Sequence, residues 1–332
     1  MARNKRVAVL GDGGWGTCLA VLMADQGHQV TLWGAFPEYV AQLQRTHENV
    51  KFLPGFKIPP SVRLTSDFKE AWESPDFIIV AVPSGYVVQV LKRAAAGPWD
   101  KVPVVSVVKG IDPETGFRMS ELIRKTVPVK RLAVLSGPSI SSEVARGVPT
   151  TVVAASEDVA LATEVQQLFT TDRFRVYTSS DVIGVEIGGA LKNVIAIACG
   201  ASDGLGFGSN TKAALATRGL VEMARLGKVL GAKESTFSGL SGLGDLITTC
   251  FSPMSRNRTL GEKMGKGMSL DEATKGMEQV AEGVTTARSA YMLGRTHRVE
   301  MPITAAVYQV LFERRPPRDA VRDLMMREPK AE

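Results

Sequence analysis

From residue 6 to about residue 178, short β-branched runs alternate with stretches of helical periodicity, the pattern of βαβ units and a parallel sheet. The runs predict strands over residues 6–10, 29–33, 62–65, 76–82, 102–108, 131–135, 150–154 and 174–177. Several are apolar at nearly every position, as strands covered by helices on both faces must be. After Ser180 the strand pattern stops. Helical spacing then covers residues 184–199, 210–226, 260–264, 269–275, 285–295 and 304–312, joined by glycine-rich loops. The layout predicts an α/β domain over residues 1–185 and an all-α domain over 186–332, ending in a charged surface tail with a turn or two of helix.

Length agrees with that division, because 332 residues suffice for two domains with separate cores. At 44% hydrophobic residues the chain is not disordered. No apolar run approaches the roughly 18 residues of a membrane helix. The basic N-terminus is followed by four apolar residues and then glycines, not by a cleavage site, so a cytoplasmic location is expected. Cys18, Cys199 and Cys250 are widely spaced, and none of His28, His47 and His297 lies near a cysteine at ligand spacing. Neither a disulfide framework nor a metal site is expected.

The net charge of +6 suits nucleic acid, a membrane surface or an anionic small molecule. No basic stripe interleaved with aromatics supports the first. Residues 205–270 hold nine basic residues against four acidic ones and so account for five of the six charges. That concentration points to a local field around a small anionic ligand.

The first candidate chemistry is Gly11-Asp12-Gly13-Gly14-Trp15-Gly16, which fits G-x-G-x-x-G between a predicted strand and a predicted helix. Gly11 permits the tight turn, Gly13 lets backbone approach a pyrophosphate, and Gly16 lets helix and strand pack closely. Phosphates would then sit on a helix N-terminus. The first domain therefore reads as a Rossmann-type, doubly wound sheet binding NAD(H) or NADP(H), with Gly14 and Trp15 also at the cofactor; the Trp15 ring is expected to lie against the cofactor or to cap the substrate cleft, with a core position as the competing reading. Past the second strand, Trp33-Gly34-Ala35-Phe36 offers neither a carboxylate for a ribose hydroxyl nor an arginine for a 2′-phosphate, so cofactor preference stays open.

Lys109 ends an apolar strand, at the edge where open parallel sheets bind ligands. Lys192 lies in a helical stretch among Ile187, Leu191, Val194 and Ile195, surroundings that suit a buried functional amine better than a snorkelling one. Reduction of a carbonyl needs a proton donor for the developing alkoxide, and an ammonium beside a carboxylate supplies one. Asp245, closing the loop Ser238 to Asp245, offers that carboxylate or a helix N-cap. Ser255-Arg256-Asn257-Arg258 places a hydroxyl, two guanidinium groups and an amide before a helix, a set suited to a phosphate monoester; an ordinary basic turn is the competing reading.

Taken together, GDGGWG, LPG at 53–55, VKG at 108–110, SGPS at 136–139, ALKNVIAIA at 190–198, GLGDL at 242–246, SRNR at 255–258 and VAEG at 280–283 resemble the bacterial NAD(P)-dependent glycerol-3-phosphate dehydrogenases. The resemblance runs from residue 7 to about residue 312. It implies reversible reduction of dihydroxyacetone phosphate to sn-glycerol 3-phosphate for phospholipid synthesis, by a homodimer. It also implies residue roles. Lys192 falls on the proton donor/acceptor, and Lys109 on a lysine touching substrate and nicotinamide ribose. Gly137, Ser139, Asp245, Ser255, Arg256 and Asn257 fall on substrate positions, while Trp15, Ser141, Arg256, Val280 and Glu282 match cofactor positions. Ala35 departs from the arginine or histidine often found there, which puts strong NADPH preference in doubt. A β-hydroxyacid or 6-phosphogluconate-type dehydrogenase would share the glycine loop and a catalytic lysine, and a non-catalytic NAD(H) sensor would share the loop alone.

Overall fold

The computed structural model describes residues 4–277 and 281–329. The chain divides into two compact units. One comprises the chain up to Lys109 with Phe117–Val185, the other Gly110–Gly116 with the chain from Glu186 onward. The early segment 110–116 is what a single cut at residue 185 leaves out. It is tied to the second unit by Ser289 Oγ, which donates to the Ile111 carbonyl at 2.9 Å.

In the first unit the order is β1 (Arg6–Leu10), α1 (Gly14–Asp25), β2 (Gln29–Trp33), α2 (Pro37–Thr46), β3 (Arg63–Thr65), α3 (Phe68–Ala71), β4 (Phe77–Val80), α4 (Val87–Arg93) and β5 (Val104–Ser106). Then come α5 (Met119–Thr126), β6 (Leu132–Ser136), α6 (Ser141–Ala145), β7 (Thr150–Ala155), α7 (Val159–Phe169) and β8 (Phe174–Ser179). All eight strands join one sheet in the order β3-β2-β1-β4-β5-β6-β7-β8. The order reverses between β1 and β4, the switch point beside which open α/β sheets bind their ligands. The apolar runs follow from coverage on both faces. Val7, Val9, Leu32, Ile79 and Val105 pack with Leu19 and Val165, whereas Ala8, Leu10, Ile78, Val80 and Val104 pack with Leu91 and Ile123 on the opposite side.

The sequence pattern predicts a parallel sheet, and at one pairing the structure departs from it. β7 runs antiparallel to β6, with Val134 opposite Ala155 and Ser136 opposite Val153. The only helix between them, α6, has five residues and spans ~7.5 Å. Carrying the chain back along β6 would take roughly 16 Å, so β7 starts where β6 ends.

The second unit is helical. It contains α8 (Val182–Gly204), which begins at the end of the first unit, α9 (Ser209–Val229), α10 (Glu234–Phe237), a π-turn (Leu240–Gly244), α11 (Asp245–Phe251) and α12 (Arg256–Gly265). These are followed by α13 (Leu270–Thr274), α14 (Glu282–Thr296), α15 (Pro302–Phe312) and α16 (Pro317–Met325). The predicted tail thus forms a nine-residue helix, with Ala320 buried. α8 corrects the expectation about long apolar segments. It is 23 residues long and apolar enough to cross a membrane, yet 83% of its apolar window is buried within the protein, which makes it a core helix.

Backbone contact between α8 and α12 sets the frame of this unit. A Cβ at Gly200 would stand 1.9 Å from the Arg258 carbonyl, and one at Gly261 would stand 2.0 Å from the Ile197 carbonyl. Only glycine allows the helices this close. On α9, buried Glu222 holds the start of α15, accepting from the Ile303 N–H at 2.6 Å and from the Thr304 N–H and hydroxyl at 3.0 Å.

Candidate active site

In the first unit the glycine loop is built as its spacing predicts. Gly11 has a φ of +121° and its N–H donates to the Trp33 carbonyl at 2.9 Å. A Cβ at Gly16 would lie 1.9 Å from the Gly11 carbonyl, so the helix closes tightly on the strand. At Gly13 a Cβ would meet nothing within 4 Å. The protein leaves this position open although its own packing would tolerate a side chain, which fits backbone approach by a pyrophosphate. Gly14 backs onto the Phe52 carbonyl, 2.5 Å from where its Cβ would be. Asn49, which sequence reasoning misses, braces the loop: its Nδ2 donates to the Asp12 carbonyl at 2.8 Å and to Thr17 Oγ1 at 2.7 Å. The LPG element follows directly, with Leu53 in the core.

The half-buried Trp15 ring packs on the core, 6.4 Å from Phe174. Ser141 opens α6 beside α1, where its carbonyl accepts from Cys18 Sγ at 3.3 Å. At the carboxyl ends of β5 and β6, the Gly137 carbonyl accepts from Lys109 Nζ at 3.0 Å and from Ser139 Oγ at 2.9 Å. Gly137, at φ +140°, is itself pressed against Val152, 3.0 Å from its Cα to a would-be Cβ. Three residues expected at the substrate therefore converge on one carbonyl.

In the second unit Lys192 is buried on α8, and Nζ donates at 2.7 Å both to Asp245 Oδ1 and to Thr249 Oγ1. The glycines explain how. Gly188, one turn before Lys192, lets the π-turn lie against α8, with the Ser241 carbonyl 2.4 Å from a would-be Cβ. α11 then starts at Asp245 and presents Thr249 one turn on, whose hydroxyl donates back to the Asp245 carbonyl at 2.6 Å. Ser238 to Asp245 is thus a packed turn rather than a flexible loop, and Asp245 faces the lysine without capping α11 through its side chain. Thr249 escapes sequence reasoning because an isolated threonine in a helix carries no signal; only its i, i+4 spacing from Asp245 hints at a shared face.

The four residues Ser255 to Arg258 separate into different roles. Ser255 caps α12, its Oγ accepting from the Arg258 N–H at 3.3 Å. Asn257 is buried, donating to Asn193 Oδ1 at 2.9 Å and accepting from the Gly283 N–H at 3.0 Å. Both ends of its amide serve the protein, which weakens its case as a substrate ligand. Arg258 pairs with Asp203 at 2.7 Å, and Lys212 pairs with the same carboxylate at 2.6 Å. Arg256 is the exposed member of the four. Desolvation by the surrounding chain lowers its pKa, and the carboxylate of Glu282 at the start of α14 opposes that shift. Part of the charge in this segment is therefore neutralised where it folds, Arg258 and Lys212 sharing Asp203 just outside it and Lys266 pairing with Glu262 at 2.6 Å. Val280 lies outside the described residues. Among the described residues no group of His, Cys, Asp or Glu side chains could hold a metal.

The N-terminal signature of NAD-dependent glycerol-3-phosphate dehydrogenases matches residues 6–162, and the C-terminal signature matches residues 181–322. The chain belongs to this family. A glycerol-3-phosphate dehydrogenase [NAD(P)+] of Bacillus pumilus is 51% identical over 326 residues, covering 97% of this chain and 94% of the relative. One from Chlorobium phaeobacteroides strain BS1 is 49% identical over 330 residues, with 98% and 99% covered. The crystal structure of glycerol-3-phosphate dehydrogenase from Coxiella burnetii superposes with a TM-score of 0.94 at 37% identity, covering 98% of this chain and 99% of that one. As a family member the chain is an NAD(P)-dependent oxidoreductase that interconverts dihydroxyacetone phosphate and glycerol 3-phosphate.

Proposed function

We propose that Lys192 is the proton donor and acceptor of this reaction, and that the two units divide the work. Residues up to 185 hold the dinucleotide through Gly11, Gly13, Gly14 and Gly16, with Ser141 beside them; residues from 186 supply the acid and the phosphate grip. The observation that carries the reading is the buried ammonium of Lys192 held at 2.7 Å by both Asp245 and Thr249. A bound nicotinamide supplies or takes the hydride at C2.

In the reducing direction the Lys192 ammonium gives a proton to the oxygen on C2 as negative charge develops there, and in the oxidising direction the amine takes it back. Asp245 holds the ammonium in place and offsets its charge. Thr249 fixes a second N–H direction of the same ammonium. Arg256 grips the phosphate through its guanidinium fork, and its helix contributes polarised N–H groups. Lys109 and Ser139, anchored on the Gly137 carbonyl, present polar groups to substrate and nicotinamide ribose. The Glu282 carboxylate partly offsets the desolvation of Arg256.

Arg256→Ala should raise KM for dihydroxyacetone phosphate about 10–100-fold, the worth of charge-assisted hydrogen bonds, with a smaller effect on kcat. A KM within about twofold of the parent would remove Arg256 from the phosphate site. The product is the backbone of phospholipids, which supports a role in their synthesis. Cytoplasmic location and a homodimer complete the reading; gel filtration with light scattering tests the latter.

A further inference from the structure

Dinucleotide-binding domains tell their two cofactors apart just beyond the second strand, where the adenosine ribose presents a 2′-hydroxyl in NAD(H) and a 2′-phosphate in NADP(H). In this chain the stretch Trp33-Gly34-Ala35-Phe36 has no charged side chain. A carboxylate reaches the same place from another element. Asp12 sits between the first two glycines of the loop, and its carbonyl accepts from Asn49 Nδ2 at 2.8 Å and from Thr17 Oγ1 at 3.4 Å. Its side chain turns toward the end of β2. A Cβ at Gly34 would lie 2.3 Å from Asp12 Oδ2 and 2.7 Å from its Cγ. Gly34 is in turn fixed by its N–H, which donates to the Thr65 carbonyl at 2.9 Å.

Asp12 Oδ2 is buried and accepts no hydrogen bond from any described residue. Buried acceptors are seldom left in that state, because the missing bond costs free energy that a neighbouring donor normally recovers. A hydroxyl brought by a ligand would meet the need. Burial pushes the Asp12 carboxyl up to about 6, so it is still mostly ionised at neutral pH.

We propose that Asp12 sets the cofactor preference of this enzyme: its carboxylate accepts a hydrogen bond from the 2′-hydroxyl of NAD(H) and repels the 2′-phosphate of NADP(H). The inference rests on the glycine loop as the dinucleotide site. Gly34 belongs to the same device, since any side chain there would displace the carboxylate. The discriminating charge has moved from the end of β2 to the loop that faces it, which is why Ala35 alone says nothing about preference.

Calorimetric titration of the apo protein with NADH and NADPH tests this without turnover. The parent should bind NADPH at least about tenfold more weakly than NADH. Asp12→Asn and Asp12→Ala should each bring the two Kd values within about threefold, by weakening NADH and tightening NADPH. Both apo variants should melt no lower than the parent, because each removes a desolvated carboxylate charge. Equal affinities in the parent would overturn the proposal, and so would variants in which the ratio of the two Kd values is unchanged. A parent that bound neither dinucleotide would bring down the loop reading along with it.

Discussion

Removing the Lys192 ammonium separates its chemical role from its structural one. The Lys192 and Asp245 side chains are only 9% and 2% exposed and meet at 2.7 Å. At an effective dielectric of about 20, two unit charges at that distance attract by about 6 kcal/mol before desolvation is counted. Desolvation offsets most of this, so the intact pair contributes little net stability. Breaking it from one side, however, leaves a charge buried without its counter-ion, at a cost of about 3–5 kcal/mol. Lys192→Met and Asp245→Leu should each lose about that much. The double variant should recover most of it, because two apolar side chains need no counter-charge. At about 2–4 °C per kcal/mol for a unit of this size, the single variants should melt roughly 6–20 °C lower. Far-UV circular dichroism is the suitable probe, since Trp15, Trp33, Trp72 and Trp99 all lie in the first unit and report little on the helical one. Activity should not follow stability. All variants lacking the ammonium should lose about 10²–10⁴-fold in kcat, the range for a positioned general acid, including the double variant that melts near the parent. A double variant with near-parental kcat would refute the acid role. Single variants as stable as the parent would refute the buried pair.

Two further predictions concern the helical unit. Gly261→Ala should destabilise it by about 1–3 kcal/mol or more in urea unfolding, because its Cβ would lie 2.0 Å from the rigid Ile197 carbonyl; helix propensity alone predicts a gain of about 1 kcal/mol, so the sign decides. Burial pushes the Glu222 carboxyl up to about 7 from an ordinary 4.5, against the hydrogen bonds from Ile303 and Thr304. The folded chain therefore holds this proton to higher pH than the unfolded chain does, and the stability it contributes is complete below about 4.5 and lost as pH rises through about 7. Glu222→Gln cannot titrate, so the parent should lose about 2–3 kcal/mol relative to the variant between roughly pH 5 and 8 in urea titrations. A parent-to-variant difference independent of pH would refute the shift.

The eight strands, the long helices and the glycine loop are legible along the chain, because each depends on neighbours in sequence. Apolar runs of strand length, a 3.6-residue period and three glycines at fixed offsets dictate local backbone whatever the rest of the molecule does. The chemistry of Lys192 is legible in part, since an ammonium set among apolar helix neighbours must find a partner. Which partner is a tertiary matter: Asp245 and Thr249 are 53 and 57 residues away and arrive only because Gly188 lets a π-turn lie against α8. Strand direction is tertiary too, and the short α6 turns β7 antiparallel against the pattern. So is the fate of a charge. Arg258 and Arg256 are alike in sequence, yet the fold pairs one with Asp203 and sets the other in the field of Glu282. A run of residues specifies the backbone it prefers, but distance and burial decide what a charged group does, and both are set by chain segments that sequence order keeps far apart.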